Sequence, residues 1–89
     1  MEKTKHNIVH DIKTIIKRQD GKSYAFPVGT TFKFYEYGVK KKTLVINMYV
    51  EKDVLYITTY TQNNGAIREK LSDFDIDEVR EIYNFVKNI

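Results

Sequence analysis

"TLVINMYVEKDVLYITTY", residues 43–60, decides the fold. With Lys52-Asp53 as a two-residue loop, Glu51 pairs with Val54 and a ladder follows. Val50 meets Leu55, Met48 meets Ile57 and Ile46 meets Thr59 on one face. Tyr49 meets Tyr56, Asn47 meets Thr58 and Val45 meets Tyr60 on the other. Most pairs match in character, aliphatic with aliphatic and tyrosine with tyrosine. The stretch therefore reads as a hairpin with an apolar face and a tyrosine face.

The alternation continues upstream. "TTFKFYEY" (residues 30–37) sets Phe32 and Phe34 against Lys33, Tyr35 and Tyr37. "GVKKK" (residues 38–42) reads as the connection to the hairpin, with Lys40, Lys41 and Lys42 at a solvated tip. "KSYAF" (residues 22–26) reads as a short strand, followed by a turn at Pro27 to Gly29. Downstream, Asn63-Asn64-Gly65 signals a turn into a last strand, "AIREKL".

Both ends change period. Ile8, Ile12, Ile15 and Ile16 make one stripe of a helix, capped by Thr4 or Asn7 and stopped at Asp20-Gly21. Ile76, Val79, Ile82 and Val86 make a second stripe, with Ser72 or Asp73 as the cap and acidic residues in the first turns. The expectation is an α+β fold: a four- to five-stranded antiparallel sheet flanked by an N-terminal and a C-terminal helix. One domain spans residues 1–89. The expected core is Ile8, Ile12, Ile15, Ile16, Phe32, Phe34, Leu44, Ile46, Met48, Val50, Leu55, Ile57, Val79, Ile82 and Val86.

Composition narrows the chemistry. The chain has no cysteine, so disulfides, thiolate metal sites and a cysteine nucleophile are excluded. No apolar run approaches the ~20 residues that span a bilayer, and the charged N-terminal stretch is not a signal peptide. A cytoplasmic protein without membrane contact is expected. No phosphate loop, nucleophile elbow or dinucleotide fingerprint occurs. His6 and His10 share a helix face but lack a third ligand. Asp73, Asp75 and Asp77 open like a calcium loop, but Glu78 stands where glycine belongs and Asn84 where glutamate belongs. The expectation is a non-catalytic protein with no cofactor and no metal.

Charge is uneven. Residues 1–42 carry ten Lys and Arg against four Asp and Glu, and residues 43–89 carry five against eight. A basic half steers polyanions. Lysine outnumbers arginine twelve to three, which also fits AT-rich coding, since Phe, Tyr, Met, Ile, Asn and Lys together supply 42 residues.

Two kinds of partner follow. Tyr35, Tyr37, Tyr49, Tyr56 and Tyr60 are expected on one sheet face. If one helix covers each face, these tyrosines are only half-buried core. If the face is open, it suits contact with another protein, a foreign target or a second copy of the chain, because tyrosine buries large area at low entropic cost. The first expectation is such a binding protein, an inhibitor or adaptor of the kind carried by phages and mobile elements. The alternative is nucleic acid, with bases stacked on the tyrosines and phosphates held by Lys13, Lys17, Arg18, Lys33 and Lys40 to Lys42.

Overall fold

The third strand organises the molecule. In a computed structural model describing residues 3–89, the order is α1 (Lys5–Lys17), a 3-10 turn (Asp20–Lys22), β1 (Ser23–Ala25), β2 (Thr31–Glu36), β3 (Val39–Glu51), β4 (Val54–Thr61), β5 (Gly65–Lys70), a second 3-10 turn (Leu71–Asp73) and α2 (Ile76–Val86). All five strands form one antiparallel sheet. On one edge β3 pairs with β2 through Val39–Leu44 and with β1 through Asn47–Tyr49. On its other edge β3 pairs with β4, and β4 pairs with β5. This is the α+β architecture that the alternation and the two helical stripes predict.

The β3–β4 hairpin has the expected register from Glu51–Val54 back to Asn47–Thr58. Beyond that point the ladder shifts: Val45 faces Thr59 and Leu44 faces Tyr60. Ile46 is the extra residue of a bulge, so the two halves of β3 have opposite parity. Thr43 and Val45 point to the covered side before the bulge, and Met48 and Val50 point there after it. The bulge corrects two core assignments. Leu44 is only half-buried and Ile46 is 38% exposed, while Val45 takes the buried position.

The connection between β2 and β3 also differs from expectation. Glu36 pairs with Val39, so the turn is Tyr37-Gly38, with φ of 51° and 79°. Two positive φ values make a turn whose twist matches a hairpin, and glycine supplies one at no steric cost. Lys40, Lys41 and Lys42 therefore lie inside β3 and not in a loop. Lys52 and Asp53 form the second such turn, with φ of 50° and 64°. It is tied to α1: the Lys17 ammonium lies 2.6 Å from the Asp53 carboxylate, and Lys13 donates to the Asp53 carbonyl at 3.2 Å.

Both helices pack on one side of the sheet. Ile8, Ile12 and Ile16 of α1 and Val79, Ile82 and Val86 of α2 share a single core cluster with Phe32, Phe34, Met48, Leu55 and Ile57. Phe26 and Leu71, just outside the strands, join it. Thr4 caps α1, accepting from the Asn7 amide at 3.2 Å. Asp75, not Ser72 or Asp73, caps α2 in a reciprocal box with Glu78. Glu78 does more than cap. Its carboxylate accepts from the Asp75 amide at 3.0 Å and from the Tyr35 amide of β2 at 2.8 Å. It is 7% exposed, so one buried carboxylate joins the start of α2 to the edge of the sheet.

Glu78→Ala leaves both amides without their acceptor, and we expect it to cost about 2–3 kcal/mol in a denaturant titration. The Asp53 carboxyl is held below its ordinary range by the hydrogen bond from Lys17 and by the nearby charges of Lys13 and Lys17. A lowered folded value stabilises above the ordinary carboxylate range of about pH 4 and is lost as pH falls through the lowered value. Asp53→Asn keeps the turn, since Asn also accepts positive φ. The melting temperatures of the two proteins should differ at neutral pH, by little because the pair faces water, and should converge in acid.

Candidate nucleic-acid interface

The sheet face away from the helices is uncovered, and register dictates what it displays. Across β1, β3, β4 and β5 one rung is Ser23, Tyr49, Tyr56 and Lys70. The next is Ala25, Asn47, Thr58 and Arg68. A third runs Thr31, Leu44, Tyr60 and Ala66. The β2–β3 hairpin then projects beyond β4, adding the pairs Lys33–Lys42 and Tyr35–Lys40 to the same face. At ~3.3 Å per residue, this strip follows β3 for about 25 Å.

Its aromatic groups are of two kinds. Tyr49 and Tyr56 stack on each other, with centroids 5.4 Å apart and rings 22° from parallel. The Arg68 guanidinium lies 5.3 Å over the Tyr56 ring. The neighbouring Tyr49 hydroxyl is the main influence that raises the Arg68 pKa above its ordinary value. Tyr60 and Tyr35 are freer, at 44% and 56% exposed. The Lys40 ammonium lies 5.4 Å from the Tyr35 ring centroid. Tyr37 is not on this face. It is in the turn, 96% exposed, because its positive φ takes it out of the strand alternation.

The charges are one-sided. Lys33, Lys40, Lys42, Arg68 and Lys70 all belong to this face by register, against Glu51 alone. Lys33 and Lys42 stand directly opposite each other across the hairpin. Like charges in that position destabilise a strand pair, so a bound anion between them relieves a cost built into the fold. Alternation sends Glu36 to the other face, with Phe34 and Lys41. Of the other expected phosphate contacts, Lys13 and Lys17 are ion-paired with Asp53. Arg18 is exposed at the C-terminal end of α1, on the helix side of the sheet.

Arg68 and Lys70 were not expected here. Their two-residue spacing after Gly65 is the available signal, but their place beside Tyr56 requires the β4–β5 register. Asn47, in the middle of the strip, has a buried side-chain oxygen with no hydrogen-bond partner among the described residues. No group of three His, Asp or Glu side chains among the described residues is placed to hold a metal ion. Asp75, the centre of the acidic trio, has its carboxylate committed to the helix cap. Among the described residues no helix is long and apolar enough to cross a membrane. Compared with protein-family models, curated proteins and solved structures, the chain matches none.

Because the Tyr49–Tyr56 stack lies outside the core, its two members should couple to each other without disturbing the packing beneath. A double-mutant cycle with Tyr49→Ala and Tyr56→Ala should give a coupling energy of about 0.5–1.5 kcal/mol in equilibrium unfolding.

Proposed function

We propose that the chain is a non-catalytic binding protein, and that its open sheet face takes a single strand of nucleic acid. The observation that carries this reading is the combination of five cations and two exposed tyrosines on the one face no helix covers. Bases stack on Tyr60 and Tyr35, since every base has an aromatic face whatever its sequence. Lys33, Lys40, Lys42, Arg68 and Lys70 line the path of the backbone. Binding of this kind is tolerant of sequence, because lysine meets phosphate as a point charge and reads no base edge. A rigid duplex presents stacked bases to nothing on this face, so a single strand is preferred.

Contact with another protein through the same tyrosines keeps one observation in its favour. Leu44 and Ile46 leave apolar surface near Tyr60, and apolar and tyrosine surface together suits a protein interface core.

Fluorescent oligonucleotides separate the two readings. Three phosphate contacts at a slope of about −0.7 each weaken single-strand binding by about 20-fold between 50 and 200 mM salt. We expect at least that loss for the wild-type chain. Replacing Lys33, Lys40 and Lys42 together by alanine should flatten the slope by about 2. Tyr60→Ala should cost about 1–3 kcal/mol of binding with no loss of fold. No binding at 50 mM salt overturns the nucleic-acid reading and leaves the protein-contact one.

A further inference from the structure

The helix side of the sheet is not covered along its whole length. Where the β2–β3 hairpin projects past β4, a groove of about 370 Å³ opens between the hairpin, the β4–β5 end and the start of α2. Thr43 and Thr59 form its floor and Ile67 one flank. Phe34 and Phe74 are also in its wall, packed edge to face with centroids 4.9 Å apart.

The charge of this groove is opposite to that of the open face. Glu36, Glu69, Asp73 and Glu78 line it, and no lysine, arginine or histidine does. Glu36, Glu69 and Asp73 form no ion pair among the described residues. Glu78 is the informative member. Its carboxylate is buried and faces two backbone amides but no cation among the described residues. A carboxylate has about four lone-pair directions, so two amides leave acceptor capacity and charge uncompensated, and buried charges are ordinarily paired. Thr59 adds a second polar group: it is 6% exposed, lies in the floor, and its hydroxyl has no hydrogen-bond partner among the described residues.

We propose that this groove receives an arginine side chain from a basic peptide segment of a partner protein. A guanidinium is planar, stacks on aromatic rings and forks onto carboxylates. The Phe34–Phe74 wall offers the ring surface, and the acidic rim offers carboxylates on both sides of the opening. The compact ammonium of lysine matches the charge but not the flat wall. The groove opens on the helix side of the sheet, and Tyr35, which also lines it, is the tyrosine it shares with the open face.

The test is a nuclear magnetic resonance titration of the isotope-labelled full chain with N-acetyl-arginine-methylamide, its citrulline analogue and its lysine analogue. Citrulline keeps the shape and removes the charge. The expected result is saturable shifts confined to the amides of Thr43, Thr59, Ile67 and Phe74, strongest with arginine, weaker with lysine and absent with citrulline. Glu69→Gln combined with Asp73→Asn changes only exposed side chains and should weaken arginine binding at least tenfold while leaving the rest of the spectrum unchanged. Absence of shifts, equal shifts with citrulline, or full arginine binding by the double variant overturns the site. Equal binding of lysine overturns the assignment to arginine.

Discussion

One extra residue in β3 makes the rest of the structure possible. The strand has to serve β2 at one end, β1 at the other and β4 along its opposite edge, while keeping apolar side chains toward the helices throughout. Strict alternation over thirteen residues places Thr43 and Val45 on one face and Met48 and Val50 on the other. The bulge at Ile46 removes that conflict by reversing parity once. Everything the open face displays follows from this. With the reversal, Lys40, Lys42, Tyr49 and the partners of Tyr56 and Tyr60 all fall on the side away from α1 and α2. Without it, either the lysines would enter the core or Met48 would leave it.

The second constraint is electrostatic. Glu78 reaches 43 residues back along the chain to the amide of Tyr35, and it fixes the projecting hairpin against the beginning of α2. It adds a polar tie to the packing of Phe32 on Phe85 and Phe34 on Phe74, in a hairpin whose ladder carries a repulsive lysine pair. Anchoring it shapes both surfaces at once, because its outer side continues the basic strip and its inner side walls the acidic groove. The charge asymmetry between the two halves of the chain thereby becomes an asymmetry between the two faces of one sheet.

The sequence discloses most of this, and where it fails the physical reason is specific. Residues 47–58 are legible because Met48, Ile57, Tyr49 and Tyr56 differ sharply in character, so a slipped register would mix the faces. At Leu44-Val45-Ile46 that contrast disappears. Three apolar residues in a row satisfy the core in either parity, and the choice is made by β1 and β2 docking in tandem on one edge. Tyr37 alternates properly on paper, but Gly38 beside it makes a tight turn more favourable than another strand pair. Tyr35, Tyr49, Tyr56 and Tyr60 are placed by local alternation alone. Arg68 and Lys70 are not, because they reach the site through a pairing set by the loop after Thr61. Lys13 and Lys17 carry the right charge but spend it on Asp53.

The tandem arrangement of β1 and β2 has a consequence for how the chain tolerates change. Together they behave as one edge strand cut in two. Each cut end is pegged to β3 beside the bulge: the Phe26 amide donates to the Ile46 carbonyl at 2.9 Å, and the Val45 amide donates to the Thr30 carbonyl at 3.0 Å. Between the pegs, Val28 is fully exposed and Gly29 has open space where a side chain would stand. The excursion from Pro27 to Gly29 therefore carries no register information. Loop closure grows only slowly more costly with length, so peptide spliced in at this point lengthens a surface arc while both strand ends stay moored. The molecule has a natural place to acquire new sequence, at the border of its open face and without a stake in its core.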